Sequence, residues 1–499
     1  DKAEIGNLNL AGSIGHGRLD VESLGAQSAG FELYANGKLV GPAPGRLQLT
    51  ASWEMPAKKL KGNGKFNGDI EKLDFTHVIN VPEQLDFTGT IHDLFSGPTL
   101  TGVAVWSSVR LPGETPLYSN NGKLNINSDF LSVHLQGGSV MLLNDWPQAP
   151  LQISALVDFQ GVNIDSFAID TLDGQVTGTG RIDYTDGLQG QLLLTGSEID
   201  TGLINSELPG RLGFDATLLL ESADTFAINV TSAKAKIAGK AFDGAGRVKW
   251  RETRLNAING HIKAGKNQLN ADVKLDKQLA GAITINAPEL AMLWPGLEGK
   301  LDAVISLGGS LEYPRVKAAV NASSVSFGAQ SLETFSLGGE LRDDNRLVAS
   351  LAAKGLASGE QGIGNLDFAL TGTVAEHQST LALSDGVVDL ELRASGGWDG
   401  QTFSQRFEYG LIQPEGFDSW RLHQNPQLRI RSASGQVSAH CWKQQDAGIC
   451  IDASNWDAST LQSAVVINDF ALATLQPLLA EGYSLDAVSY THLRAHETR

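Results

Sequence analysis

The chain has 499 residues, 41% hydrophobic and 19% charged, with a formal net charge of −18 and an isoelectric point near 5.0. That length covers several ordinary domains, and that apolar content excludes a disordered chain. The acidity argues against a nucleic-acid partner, which needs clustered Lys and Arg on the phosphates.

Glycine fills 56 positions, above the usual share, as short strands joined by glycine turns require. There is no initiator Met, no signal peptide and no apolar run long enough to span a bilayer, and the chain reads as a fragment. Residues 1–60 alternate apolar and polar between glycines, at Leu8 and Leu10, Phe31 and Leu33, Leu47 and Leu49. GHG at 15–17 reads as a turn, and Lys58, Lys59 and Lys61 as a solvated one. Alternation continues at Leu85 and Phe87, then at Val103 and Val105. LPGETPLYSNNG at 111–122 reads as a loop from its Pro, Asn and Gly.

From 123 to 275 the strands are clearest. Leu124 and Ile126 flank Asn125; Leu131, Val133 and Leu135 alternate with Ser132 and His134. Leu151, Ile153, Ala155, Val157 and Phe159 form one run, with Gln152, Ser154 and Asp158 facing away. Phe226, Ile228 and Val230 follow, then Leu269, Ala271, Val273 and Leu275. A period of two puts each set on one face of a sheet. The spacing of three and four that a helix needs is scarce.

The pattern is densest at 285–341, INAPELAMLWPGLEGKLDAVISLGGSLEYPRVKAAVNASSVSFGAQSLETFSLGGEL. Its short apolar segment, 290–297, is limited by Pro288 and Pro295-Gly296 to about two helical turns. Strands then carry Leu301, Ala303, Ile305 and Leu307, then Val316, Ala318 and Val320, then Phe335 and Leu337. Further on come Leu366, Phe368 and Leu370, then Val388, Leu390 and Leu392 opposite Asp389, Glu391 and Arg393. Trp398, Phe407, Tyr409 and Trp420 read as strand packing. A loose repeat links INSELPGRLGFDATLLLES, MLWPGLEGKLDAVISLGGS and LQPLLAEGYSLDA.

The residues carry no catalytic constellation. GxSxG, HExxH, P-loop and EF-hand patterns are missing, the ten His are scattered, and the Asp residues fall on outward strand positions or in turns. No enzyme activity, cofactor or metal is expected. Cys441 and Cys450, the two cysteines, read as thiols in a reducing compartment and as a disulfide in an oxidising one. The segment at 488–498, VSYTHLRAHET, departs from everything before it. It resembles the translation of a transposase mosaic end joined to a sequencing adapter. The expected division is therefore 1–487 as the native rod and 488–499 as a non-native tail, with the spacing of His492 and His496 an artefact.

The phrases INAPEL, PGLEGKLDAVISLGGSLEYPRVKA, AHCWKQQDAGIC at 439–450 and INDFALATLQPLL at 467–479 resemble the middle region of the TamB family, AsmA-like bridge-like lipid-transfer proteins. The resemblance extends more weakly to the N-terminus, and it rests on order and number of phrases. It implies an all-β fold: an elongated repeating β-groove, or half-pipe, of amphipathic strands with short apolar helical segments between repeats. Alternation by itself fits a β-sandwich array equally. The resemblance also implies the periplasm, with a full-length protein anchored in the inner membrane, and TamB-like proteins carry a similar HCW…C pair, so Cys441 and Cys450 are expected to be bonded. The implied cargo is phospholipid, moved between inner and outer membranes with the outer-membrane barrel partner TamA. The anchor and the TamA-binding part are expected to lie outside this chain.

On that reading the lipid-groove candidates are Leu151, Ile153, Val157 and Phe159; Leu269 and Val273; Leu301, Ile305 and Leu307; Leu366, Phe368 and Leu370; and Val388, Leu390 and Leu392. The alternatives are an assembly factor for outer-membrane proteins that offers sheet edges to client strands, and a β-helical adhesin. The latter should repeat every 20-odd residues, which is not seen.

Overall fold

The structure, a computed structural model, describes residues 5–28, 30–42, 45–56, 60–81, 83–111, 117–143, 148–252, 254–471 and 488–496. The chain divides into two units, 1–237 with 245–254, and 238–244 with 255–499. Both are antiparallel sheet, and none of the described helices is long and apolar enough to cross a membrane.

The first unit holds β1 (Ile5–Gly15), β2 (Arg18–Ser28), β3 (Phe31–Val40), β4 (Arg46–Met55), β5 (Leu60–Gly68), β6 (Lys72–Val81), β7 (Glu83–His92) and β8 (Thr99–Leu111). It continues with β9 (Leu117–Ser128), β10 (Ser132–Leu143), β11 (Ala149–Asp158), β12 (Gly161–Thr171), β13 (Gly174–Asp183), β14 (Gln189–Asp200), β15 (Gly210–Ser222) and β16 (Thr225–Ile237). Each strand pairs with the one before it, as a meander. β17 (Lys240–Arg251) follows where the units divide.

The second unit repeats the meander through β18 (Arg254–Ala264), β19 (Asn267–Leu275), β20 (Leu279–Ala287), β21 (Leu297–Gly309), β22 (Pro314–Phe327) and β23 (Gln330–Leu341). Then come β24 (Arg346–Ser358), β25 (Gln361–Thr373), β26 (His377–Ser384), β27 (Val388–Trp398) and β28 (Phe403–Pro414). Shorter strands end it: β29 (Trp420–Leu422), β30 (Gln427–Arg431), β31 (Ser434–Val437), β32 (His440–Gln444), β33 (Ala447–Ile451), β34 (Ser454–Trp456), β35 (Leu461–Ala471) and β36 (Val488–His496). β28 pairs through Phe403–Arg406 with β30 and through Leu411 and Ile412 with β29, so the following strands are bent meander strands interrupted near their middles. β36 pairs with β35.

The connections are tight, and one turn recurs. The carboxylates of Asp69, Asp129, Asp158, Asp399 and Asp457 each accept the backbone N–H groups two and three residues on, at 2.6–3.0 Å. Such an Asx turn closes a hairpin and satisfies two donors that the ladder leaves over. His16 and Gly17 both take positive φ in the β1–β2 turn, as a type I′ hairpin needs.

Within the two-turn limit set by its prolines, the apolar segment at 290–297 forms one 3-10 turn, Leu290–Met292, and Leu297 already begins β21. A second 3-10 turn, Thr201–Leu203, precedes β15 at the matching place of the repeat; the third copy lies outside the described residues. Residues 117–122 are strand, not loop. Asn121 takes φ 49° in an irregular step of the β8–β9 ladder, which Asn tolerates, so Pro, Asn and Gly there do not end the strand. Leu131 lies in the turn held by Asp129, one residue before β10. Lys61 is on β5, while Lys58 and Lys59 lie outside the described residues.

Candidate functional site

Directly paired residues in an antiparallel ladder point to the same face, so register sorts side chains into files across the sheet. In the first unit one file crosses all of β1–β16. It runs Gly12, Val21, Gly37, Leu49, Phe66, Phe75, Gly89 and Gly102, then Ile126, Leu135, Ala155, Ile164, Gly180, Leu192, Leu218 and Ile228. None of these side chains is polar. The next file runs Leu10, Leu24, Ala35, Ala51, Gly64, His77, Phe87 and Ala104, then Leu124, Gly137, Ile153, Phe167, Gly178, Leu194, Ala216 and Val230. Its one polar member is His77.

The second unit is built alike. Ile262, Leu269, Ile285, Ala303, Val320, Leu337, Leu351, Phe368, Leu381, Leu392 and Gly410 form one file from β18 to β28. Beside it run Ala287, Leu301, Ala322, Phe335, Ala353, Leu366, Leu383, Leu390 and Ile412. Ile305 aligns with Ile283, Ala318, Gly339, Ala349 and Leu370, and Leu307 with Gly281, Val273 and Val316.

The other face carries the polar and charged groups, with a few exposed apolar side chains among them, such as Val105, Leu193, Val304 and Val348. Thr195 donates to Asp215 (3.0 Å), Thr90 to Asp74 (2.7 Å) and Asn286 to Asp302 (2.6 Å), and Arg393 pairs with Glu391. Alanine, identical on both faces, shows the difference in shelter. Ala155, Ala216, Ala303 and Ala353 on the apolar files are buried, whereas on the opposite face Ala280, Ala319 and Ala369 are exposed, Ala168, Ala282, Ala352 and Ala382 half-buried, and Ala227 buried. Yet among the described residues no large side chain falls below 2% exposure. A closed sandwich would seal the facing side chains of two sheets. Here the apolar face is half-sheltered and open, and the fold is the amphipathic β-groove type.

Register places Leu151, Ile153 and Val157 on the apolar face of the first unit, and Leu269, Val273, Leu301, Ile305, Leu307, Leu366, Phe368, Leu370, Val388, Leu390 and Leu392 on that of the second. Phe159 is not among them. Asp158 starts the β11–β12 turn, and Phe159 stands at its tip, 76% exposed.

A feature missed in the sequence is the pairing of aromatic rings with glycines. Trp53 lies across Gly62, Trp106 across Gly122, Phe167 across Gly178, Phe214 across Gly196 and Trp456 across Gly435. A methyl at Gly178 would stand 2.7 Å from the Phe167 ring, and one at Gly122 would enter the Trp106 indole. The missing side chain lets each ring lie flat across its neighbour strand. The Trp106 indole N–H is satisfied at the sheet, by the Ser119 carbonyl and hydroxyl at 3.0 Å. The readable signal was glycine recurring on the apolar parity, as at Gly62 and Gly64 before Phe66.

Away from the files, Cys441 and Cys450 face each other on β32 and β33 and are bonded, S–S 2.11 Å. No group of His, Cys, Asp and Glu among the described residues could hold a metal.

Residues 1–496 match the family model described as "TamB, N-terminal domain". The chain is 23% identical over 482 residues to the translocation and assembly module subunit TamB of Haemophilus influenzae, covering 90% of this chain and 34% of that protein. It thus spans about a third of the length of the curated relative it matches. The amphipathic meander and a match over nearly all its length agree: the chain belongs to the TamB family.

Proposed function

We propose that this chain is a non-catalytic segment of a periplasmic lipid bridge, carrying phospholipid acyl chains along its apolar sheet face between inner and outer membranes. The observation that carries the reading is the registered apolar file, unbroken by a polar side chain across β1–β16 and again across β18–β28. An acyl chain crossing water exposes about sixteen methylenes at ~0.8 kcal/mol each, or roughly 13 kcal/mol. A file of Leu, Ile, Val and Phe removes most of that cost and fixes no single position, because it offers no directional partner. The half-open face leaves room for headgroups to stay in water, and passive movement of this kind needs no bond cleavage. We further propose that the full-length protein is anchored in the inner membrane and meets TamA at the outer one, by segments outside this chain.

The test is mass spectrometry of an organic extract of the purified chain. Co-purifying phospholipid, lost on mutation of the apolar face, is the expected result. A lipid-free protein that cross-links to nascent outer-membrane strands would instead favour assembly by strand interaction.

A further inference from the structure

His77 interrupts an otherwise apolar file on β6, at the middle of the face. Its ring lies flat over β5, where a methyl at Gly62 would stand 2.8 Å from Nε2, so glycine makes the space. It lies nearly coplanar with Trp53, ring centroids 6.2 Å and planes 10° apart, and Phe31 lies 6.2 Å from that Trp, planes 27° apart. The Trp53 indole N–H donates to His77 Nε2 at 3.0 Å, which assigns the neutral ring with its proton on Nδ1. The residues paired with and flanking the ring are Ala51, Gly64, Phe66, Leu85 and Phe87, none of them charged; Glu83, which opens β7 and shares the parity of Leu85, pairs with Val81, four residues along β6 from His77. The nearest charges in register, Lys61, Lys65 and Asp86, belong to the opposite face. Burial holds the imidazole below its ordinary value.

We propose that His77 is a proton-linked step in the lipid path: hydrocarbon lying over it requires the neutral imidazole, and protonation loosens the lipid there. The inference rests on the lipid-carrying reading above. A proton taken from water occupies the lone pair that Trp53 uses, so the indole N–H loses its acceptor. The resulting cation has no carboxylate opposite it. On an open, empty face water solvates that cation. Under an acyl chain it is desolvated, which costs several kcal/mol for an unpaired charge. Linkage then fixes the sign: lipid lowers the affinity of His77 for a proton, and acid lowers the affinity of this face for lipid by the same factor.

The experiment is equilibrium binding of a fluorescent-acyl phosphatidylcholine, whose net charge is constant across the range, to the full chain at about pH 7.5 and 5. Wild type should bind up to about tenfold more weakly at the lower pH, a range in which only histidine side chains ordinarily titrate. His77→Phe should bind equally at both. His134→Gln, on the polar face beside Ser154 and Asp165, should behave as wild type. A pH-independent wild type, or a His77→Phe protein that keeps the loss, overturns the proposal. Absence of binding at either pH overturns the lipid reading itself. Should His77→Phe fail to fold, NMR titration of His77 in wild type decides: phosphatidylcholine should move its midpoint to lower pH, and an unmoved midpoint refutes the step.

Discussion

The single residue that most constrains the apolar face is glycine under an aromatic ring. Gly122 leaves the space in which Trp106 lies, and its Cβ would overlap the indole. Gly122→Val should therefore lift the ring off β9 and break its bonds to Ser119, destabilising the fold by about 1–3 kcal/mol, as overpacking does. Urea unfolding should show a lower midpoint, and an unchanged midpoint would show that the ring has other places to go. The turn carboxylates make a second residue-scale prediction. Backbone N–H donors, from Ser132 and Leu131 at Asp129 and from Gln160 and Gly161 at Asp158, hold both carboxyls below the ordinary 3.8. Their folded pKa is depressed, so their contribution is present above the unfolded value and lost as pH falls through the folded one. The melting temperature should drop below about pH 4, and Asp129→Asn with Asp158→Asn should make that drop shallower; an equal drop would place the acid sensitivity elsewhere.

Element by element, the sequence made strand parity legible wherever one face is apolar, as at Leu301 to Leu307. It made strand ends less so. Phe159 and Leu131 continue the period of two but stand in turns, because Asp158 and Asp129 capture the next free N–H groups. The Asp was the readable sign, and apolar spacing outweighed it. Of the aromatic–glycine pairs only the glycines recurring on the apolar parity were legible, since a ring meets its glycine only through cross-strand register. Pro288 and Pro295-Gly296 were read correctly as limits on helix, though the result is a single 3-10 turn. The β32–β33 hairpin, short and close to the interruptions at 438–439 and 452–453, is clamped by its disulfide. Closing so short a loop contributes roughly 2–3 kcal/mol in the chain-entropy model. Intact mass of periplasmically expressed protein should rise by two hydrogens on reduction; free thiols without reductant would contradict the bond.

Across the whole molecule, both units carry the same arrangement: an apolar face, half-sheltered and unsealed, backed by a polar one. A buried core and an open lipid face respond oppositely to charge. In a core, an unpaired carboxylate costs several kcal/mol against a total stability of only about 5–15 kcal/mol, and the region unfolds. On an open face it stays hydrated while lipid is absent. The deciding measurement is the phospholipid content of Ile305→Asp combined with Leu390→Glu, with circular dichroism and melting temperature taken on the same sample and Asp389→Asn, on the opposite face, as control. The predicted result is a β-type spectrum and a melting temperature close to wild type, no bound phospholipid, and full lipid in the control. Loss of the fold would make the apolar face a buried core, and a folded double mutant that still carries phospholipid would mean that this face is not the conduit.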